Sequence, residues 1–245
     1  MAYTLGFLYA DGHLIDAPKM RGQYICFTNT DKDRVECFRE LMESDHTITE
    51  RVQTTNRKAA YQLRIGSKVL YQKLTELGLT PNKSHTVLFP DVPRKYLGSF
   101  IRGYFDGDGC VFLERGPTGR PKRLLTIFTC GSSQFLAELH RLLATVAGLQ
   151  GTRMYKHGSV TGAYQLRYST RNSLRLFTYM YSVDLQQGLY LRRKYDIFVK
   201  YLEMRNISRE DIPFLLETKG PVVNRKHDAL QKRYSAGSTP AWASK

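Results

Sequence analysis

What this 245-residue sequence lacks narrows its chemistry before any motif is read. Its four cysteines, Cys26, Cys37, Cys110 and Cys130, form no CxxC pair, and its six histidines show no ligand-like spacing. A zinc site is therefore not expected, and reduced thiols in an intracellular, non-secreted protein are the default. No run of 18 apolar residues is present, so no membrane span is expected. The opening Met1-Ala2-Tyr3-Thr4 lacks the basic flank and apolar core of a signal peptide. Acidic residues are scarce too: 22 Asp and Glu stand against 37 Lys and Arg, for a formal net charge of +15. That surplus favours a polyanionic partner such as nucleic acid over an anionic membrane.

The rest of the composition is ordinary, with 42% hydrophobic residues, enough for a sizeable core. The excess charge is spread along the chain. Residues 1–95 carry 14 basic and 11 acidic side chains, residues 96–205 carry 16 and 7, and residues 206–245 carry 7 and 4.

An internal repeat organises the sequence. Ala60-Tyr61-Gln62-Leu63-Arg64 recurs letter for letter as Ala163-Tyr164-Gln165-Leu166-Arg167, Phe27-Thr28 recurs as Phe128-Thr129, and Ala10-Asp11-Gly12 has the counterpart Gly107-Asp108-Gly109. Each copy reads as a short apolar helix (Thr4 to Asp11; Leu97 to Gly107), two strands, an amphipathic helix, two more strands and a closing helix (Lys68 to Leu77; Ser173 to Tyr181). Asp31 and Asp33 in one copy, and Ser132 and Ser133 in the other, are cap candidates for the amphipathic helix. The fold class is therefore α+β: two tandem αββαββα units, each with an antiparallel, saddle-shaped sheet whose outer face is open. The expected domains are residues 1–95, 96–205 and a C-terminal extension, 206–245. In the repeated strand Tyr and Leu face one side, which leaves Gln62, Arg64, Gln165 and Arg167 on the open face.

Small residues recur four apart on the first helix of each copy: Gly6 and Ala10, then Ser99, Gly103 and Gly107. Such a face lets two backbones approach closely, so Gly6 and Gly103 are the expected contacts of a pseudo-twofold seam. Asp11 and Asp108 follow the seam directly. Packing of the two helices would bring these carboxylates together, at a cost unless a cation lies between them. One Asp-Gly alone would read as a turn or helix cap.

The segments Leu5-Gly6-Phe7-Leu8-Tyr9-Ala10-Asp11-Gly12 and Ile101-Arg102-Gly103-Tyr104-Phe105-Asp106-Gly107-Asp108-Gly109 resemble the paired motifs of the LAGLIDADG homing endonucleases, in their single-chain, two-motif form. The first departs from the family pattern with Tyr9 where an acid is common. The resemblance covers residues 3–205. It implies a monomer that cuts both strands of double-stranded DNA at a long asymmetric target and leaves 3′ overhangs. It makes Asp11 and Asp108 the metal-binding acids, with the main-chain carbonyls of Ala10 and Gly107 completing the coordination. The expected cofactor is Mg²⁺ or Mn²⁺, two or three ions shared between the acids, and hard oxygen donors suit such ions. The family also places a basic side chain near each scissile phosphate, for which Lys83 in Pro81-Asn82-Lys83-Ser84 and Lys194 in Arg193-Lys194-Tyr195 are the candidates. Asn29 falls where a polar active-site residue can occur, with Cys130 as its counterpart.

DNA contacts are expected from the open sheet faces and from the hairpin Glu114 to Arg123, which carries Arg115, Arg120, Lys122 and Arg123. Two other readings of the same fold stay open: a maturase that binds intron RNA, and a DNA-binding regulator that does not cut. The absence of an HNH-like histidine cluster disfavours that nuclease class.

Overall fold

A computed structural model describes residues 1–17, 22–51, 59–119, 121–157, 162–182 and 189–217. The first unit comprises α1 (Ala2–Asp11), β1 (Gly12–Ala17), β2 (Gly22–Asn29), α2 (Lys32–Leu41), β3 (Ile48–Arg51), β4 (Ala60–Gly66) and α3 (Lys68–Glu76). The second comprises α4 (Arg94–Asp108), β5 (Gly109–Arg115), β6 (Pro121–Cys130), α5 (Ser133–Ala147), β7 (Met154–His157), β8 (Ala163–Tyr168) and α6 (Thr170–Tyr181). Two further helices, α7 (Arg192–Met204) and α8 (Ile212–Glu217), follow it. The tandem αββαββα plan expected from the repeat is the observed one.

The repeat holds at the level of strand register. Both sheets are antiparallel, in the orders β1-β2-β4-β3 and β5-β6-β8-β7. Thr28 pairs with Gln62 and Thr129 with Gln165, while Gly12 faces Phe27 and Gly109 faces Phe128. One face of each sheet supplies core residues, Leu14, Ile25, Phe27, Leu63 and Ile65 in the first and Val111, Leu124, Phe128 and Leu166 in the second. The covering helices meet those faces through Phe38 on α2 and Phe135, Leu136 and Leu139 on α5.

The seam between units is the contact of α1 with α4, and it has two-fold symmetry. A Cβ added to Gly6 would lie 2.0 Å from the Phe100 carbonyl oxygen and 2.8 Å from the Tyr104 nitrogen; one added to Gly103 would lie 2.0 Å from the Tyr3 carbonyl oxygen and 3.0 Å from the Phe7 nitrogen. Tyr3 and Phe7 hold the same places relative to Gly6 as Phe100 and Tyr104 hold relative to Gly103, so each helix gives its partner what it receives, as in an isologous interface. Near the axis, a Cβ on Gly107 would meet that of Ala10 at 2.2 Å. At Gly6 and Gly103 glycine is required because backbone fills the space, and at Gly107 because the Ala10 methyl does.

The two amphipathic helices start differently. On α5 the Ser132 side chain accepts a hydrogen bond from the Phe135 amide at 3.2 Å, the usual N-cap arrangement. On α2 the N-cap Asp31 makes no such bond; its amide instead donates to Asn29 Oδ1 at 3.0 Å. Asp33 lies within the first turn of that helix. Helix α8 docks on α6, with Ile212 and Leu215 buried and Arg171 donating to the Leu216 carbonyl at 3.0 Å. No described helix is long and apolar enough to cross a membrane.

Candidate functional site

Helices α1 and α4 end side by side, which sets Asp11 and Asp108 close enough to repel. Burial, reinforced by the charge of Asp11, pushes the Asp108 carboxyl up to about 6, against the lowering pull of Lys83 and Lys194. Asp108 keeps part of its surface open to solvent, so the shift reflects the protein packed behind it rather than full enclosure. Burial raises Asp11 as well, opposed in order by Arg34, Lys194, a hydrogen bond from Asn29, and Lys83. A cleft of about 580 Å³ opens beside Asp11, lined in part by His13, Asp16, Asn82 and Lys83.

Asn29, at the end of β2, donates from Nδ2 to Asp11 Oδ2 at 3.2 Å. Its counterpart Cys130 is a buried thiol whose sulfur accepts from the Ser132 amide at 3.4 Å, the same turn contact that Asn29 makes through Oδ1. The asymmetry implied by Asn29 and Cys130 is therefore physical: one acid has an amide donor and the other faces a thiol.

Both candidate lysines are at the site, in different states. Lys83, on a 3₁₀ turn at Lys83–His85, is 7% exposed and donates to the Ala10 carbonyl at 3.1 Å. Burial lowers its ammonium, and the charges of Asp108, Cys130 and Asp11 act against that. Lys194, on α7, is 4% exposed and donates to the carbonyls of Phe105 at 2.6 Å, Asp106 at 2.9 Å and Gly107 at 3.4 Å, and to that of Gly109. It caps the open carbonyls at the end of α4, as a cation suits a helix C-terminus. The two lysines thus hold the carbonyls of Ala10 and Gly107, but Lys194 has no proton to spare while Lys83 has one partner. Burial lowers Lys194 to about 8, partly offset by Asp106 and reinforced by Arg34.

Asp106, completely buried, anchors this end of the second unit. Its Oδ2 accepts from Tyr3 OH and from the Leu191 amide, both at 2.8 Å, and burial pushes its carboxyl up to about 6. The equivalent residue Tyr9 is core instead, with its ring 5.4 Å from that of Phe100 and its hydroxyl bonded to the Leu77 carbonyl. Tyr9 in place of the family's acid therefore moves this connection to α3 and leaves Asp11 in position.

The outer sheet faces carry the expected residues, with different exposure. Gln62 and Gln165 are buried, 5% and 8% exposed, because each amide donates to the threonine across the ladder, Thr28 at 2.9 Å and Thr129 at 3.3 Å. The glutamines expected as DNA contacts on the open face are thus already engaged within their own sheets. Arg64 lies 5.1 Å above the Tyr24 ring; Arg167 lies 5.5 Å above that of Tyr155 and donates to Gln165 Oε1. In the β5–β6 hairpin Arg123 pairs with Glu114 at 2.6 Å, Arg115 donates to the Gly119 carbonyl at 2.8 Å and Lys122 is exposed; Arg120 lies outside the described residues.

Sequence reasoning missed Arg34. In the first turn of α2 it is 7% exposed, with Nη1 3.9 Å from Asp11 Oδ2. The available signal was the repeat itself, which sets Arg34 opposite Phe135, a core position.

Known proteins resemble this chain in part of its sequence and in its fold. Residues 95–179 match the family model of the LAGLIDADG-like domain. The matched residues lie in the second of the two tandem units, so that unit is similar to the LAGLIDADG-like domain. The fold is also that of solved homing endonucleases. I-DmoI in complex with DNA and Mn aligns with a TM-score of 0.51 at 18% identity over 75% of this chain and 97% of that one. I-WcaI bound to its DNA recognition sequence gives 0.55 at 12% identity over 80% and 86%. I-SmaMI bound to uncleavable DNA gives 0.53 at 11% identity over 95% of both chains. In sequence, the chain is 32% identical over 114 residues to the replication factor C small subunit of Thermococcus kodakarensis, which is 45% of this chain and 12% of that protein. It is 29% identical over 107 residues to an A-type ATP synthase component of Methanopyrus kandleri, 44% and 10% of the two lengths. The chain thus spans about a tenth of the length of these relatives.

Among the described residues no group of three or more His, Cys, Asp or Glu could hold a metal. At the ends of α1 and α4 the oxygen donors are two carboxylates and backbone carbonyls, a set that suits a hard divalent ion retaining several waters.

Proposed function

We propose that the chain is a metal-dependent endonuclease that hydrolyses both strands of double-stranded DNA at one long target. The observation that carries this reading is the pair of carboxylates at the abutting helix ends, each raised by burial, with Lys83 beside them. Two crowded acids are costly when ionised, and a divalent cation removes that cost. Asp11 and Asp108 would hold the ions, and the Ala10 and Gly107 carbonyls, each already accepting from a lysine, would join them only through a second lone pair. Bound there, Mg²⁺ or Mn²⁺ supplies Lewis acidity to water and to the phosphate oxygens.

The chain's own groups do the positioning. Asn29 fixes Asp11 Oδ2 through its amide, and the Lys83 ammonium stands close to Asp108, where it opposes charge building on the phosphate. In the reaction a water oxygen adds to phosphorus and the P–O3′ bond breaks. The water's proton leaves to solvent, and the departing 3′ oxygen gains one. The outer faces of the two sheets present Arg64 and Arg167 to DNA, with sheet and hairpin cations holding phosphates.

The test is selection of cleaved duplexes from a randomised library in Mg²⁺. The expected result is one recovered site with 3′ overhangs. Either Asp11→Asn or Asp108→Asn is expected to end cleavage while DNA binding persists. Specific capture of a duplex without cutting would identify a regulator, and preference for structured RNA would identify a maturase.

A further inference from the structure

One charged side chain at the site is not accounted for by the contacts around it. Arg34 is 7% exposed, yet its Nε and Nη2 are shut off from solvent and make no hydrogen bond. Its nearest acids, Asp11 at 3.9 Å from Nη1 and Asp31 at 3.7 Å from Nε, stand beyond hydrogen-bonding distance. Buried guanidinium groups ordinarily saturate their donors, because an unbonded buried donor is expensive. Arg102 shows that this chain can do so: 2% exposed, it donates to the carbonyls of Leu189 at 2.9 Å and Met180 at 2.6 Å. A cation in the first turn of a helix also opposes the macrodipole, so Arg34 is held where two effects disfavour it.

The unbonded atoms carry the argument further. Nε and Nη2 form one edge of the planar guanidinium, the edge that binds two oxygens of a phosphate or carboxylate side by side. Asp31, which borders this edge, is 44% exposed and can turn away into solvent. Among the described residues the second half has nothing comparable. Phe135 occupies the equivalent place, completely buried, with its ring 4.6 Å from that of Tyr104.

We propose that Arg34 is a phosphate clamp serving one of the two strands only, so that the two strand cuts are chemically unequal. The inference rests on the endonuclease reading for its consequence, but not for the anion site itself. On the Asp11 side, the fork of Arg34 holds two non-bridging oxygens of the phosphate while Asn29 orients the acid. On the Asp108 side no guanidinium stands among the described residues, and Lys83 acts as a point charge.

Two measurements on the full chain test this. With ¹⁵N-labelled arginine, titration with inorganic phosphate is expected to shift one buried Nε–H resonance to saturation, a signal missing in Arg34→Gln. No such shift, or a resonance that responds to Asp31→Asn but not to phosphate, would overturn the clamp. With each strand of the selected duplex end-labelled in turn, Arg34→Gln is expected to slow one cut about a hundredfold, the order seen when a single oxyanion donor is removed. The other cut is unchanged, and a supercoiled substrate stalls as nicked circle. Equal slowing of both strands would overturn the proposal. Arg34→Lys keeps the charge and loses the fork, so it is expected to fold and show the same strand bias; full activity on both strands in that variant would overturn it as well. A phosphate response in a wild-type chain that cuts no duplex would leave the anion site standing and remove the endonuclease reading.

Discussion

The two halves of the molecule match closely in their framework and differ at their chemical centres. Strand order, ladder register, the threonine that holds each outer-face glutamine and the glycine contacts of the seam are shared. Around the acids, Asn29 becomes Cys130, Arg34 becomes Phe135, Tyr9 becomes Asp106, and a lysine on a short turn becomes a lysine on an extra helix. Symmetry is retained where backbones touch and any side chain would clash. It relaxes where a side chain meets only its own half of the site. On the proposed endonuclease reading, an asymmetric duplex would present two different scissile phosphates, and a single chain is free to fit each separately.

The widest contrast is between the two lysines. Lys194→Met would leave the carbonyls at the end of α4 without their donor, and each buried acceptor left unsatisfied costs about 1–3 kcal/mol. Urea unfolding should register that loss. Lys83 bonds one carbonyl, so Lys83→Met is expected to remain folded and to slow single-turnover cleavage at least ~10-fold, the usual scale for a charge near a reacting phosphate. An unchanged rate would remove Lys83 from the site, and normal stability in Lys194→Met would return Lys194 to the catalytic candidates.

Next in size is the seam, where the halves should prove equal. Gly6→Ala and Gly103→Ala each drive a methyl group to 2.0 Å from a backbone carbonyl that cannot rotate away. Each is expected to cost about 3 kcal/mol or more by overpacking. Similar midpoint shifts in urea would support the two-fold seam, whereas a neutral substitution at either position would break it.

The framework was legible because its determinants are local and repeated. Period-two strands, small residues four apart and a serine cap each act within a few residues, and two copies of the pattern cancel chance. The acids were legible for the same reason. What the sequence concealed depends on contacts between distant elements. Arg34 looks like a solvated residue of an amphipathic helix until Asp11, 23 positions earlier, is placed beside it. Lys194 looks like part of a basic run, and its role as the cap of α4 depends on a helix that the first copy lacks. The glutamines were placed on the correct face, but their burial follows from the threonine across the ladder, which periodicity alone does not reveal.

The smallest effect tests the acids without DNA. Asp108 has its carboxyl raised from the ordinary 3.8 to about 6, so in the absence of metal its contribution to stability is complete below about pH 4 and is lost as pH rises through about 6. Because the group is partly open to solvent, screening reduces that contribution to the order of 1 kcal/mol. Asp108→Asn should therefore melt higher than wild type at pH 8 in a metal chelator and show little difference at pH 4. Asp106 titrates in the same window and stays in both proteins, so the slope of stability against pH should shrink rather than vanish. Asp11→Asn should gain less, because Arg34 and Asn29 stabilise the Asp11 carboxylate and Asn would leave the guanidinium without its neighbour. An equal gain from the two substitutions would mean that Arg34 does not distinguish the halves, and no gain from either would mean that the paired acids are not in conflict.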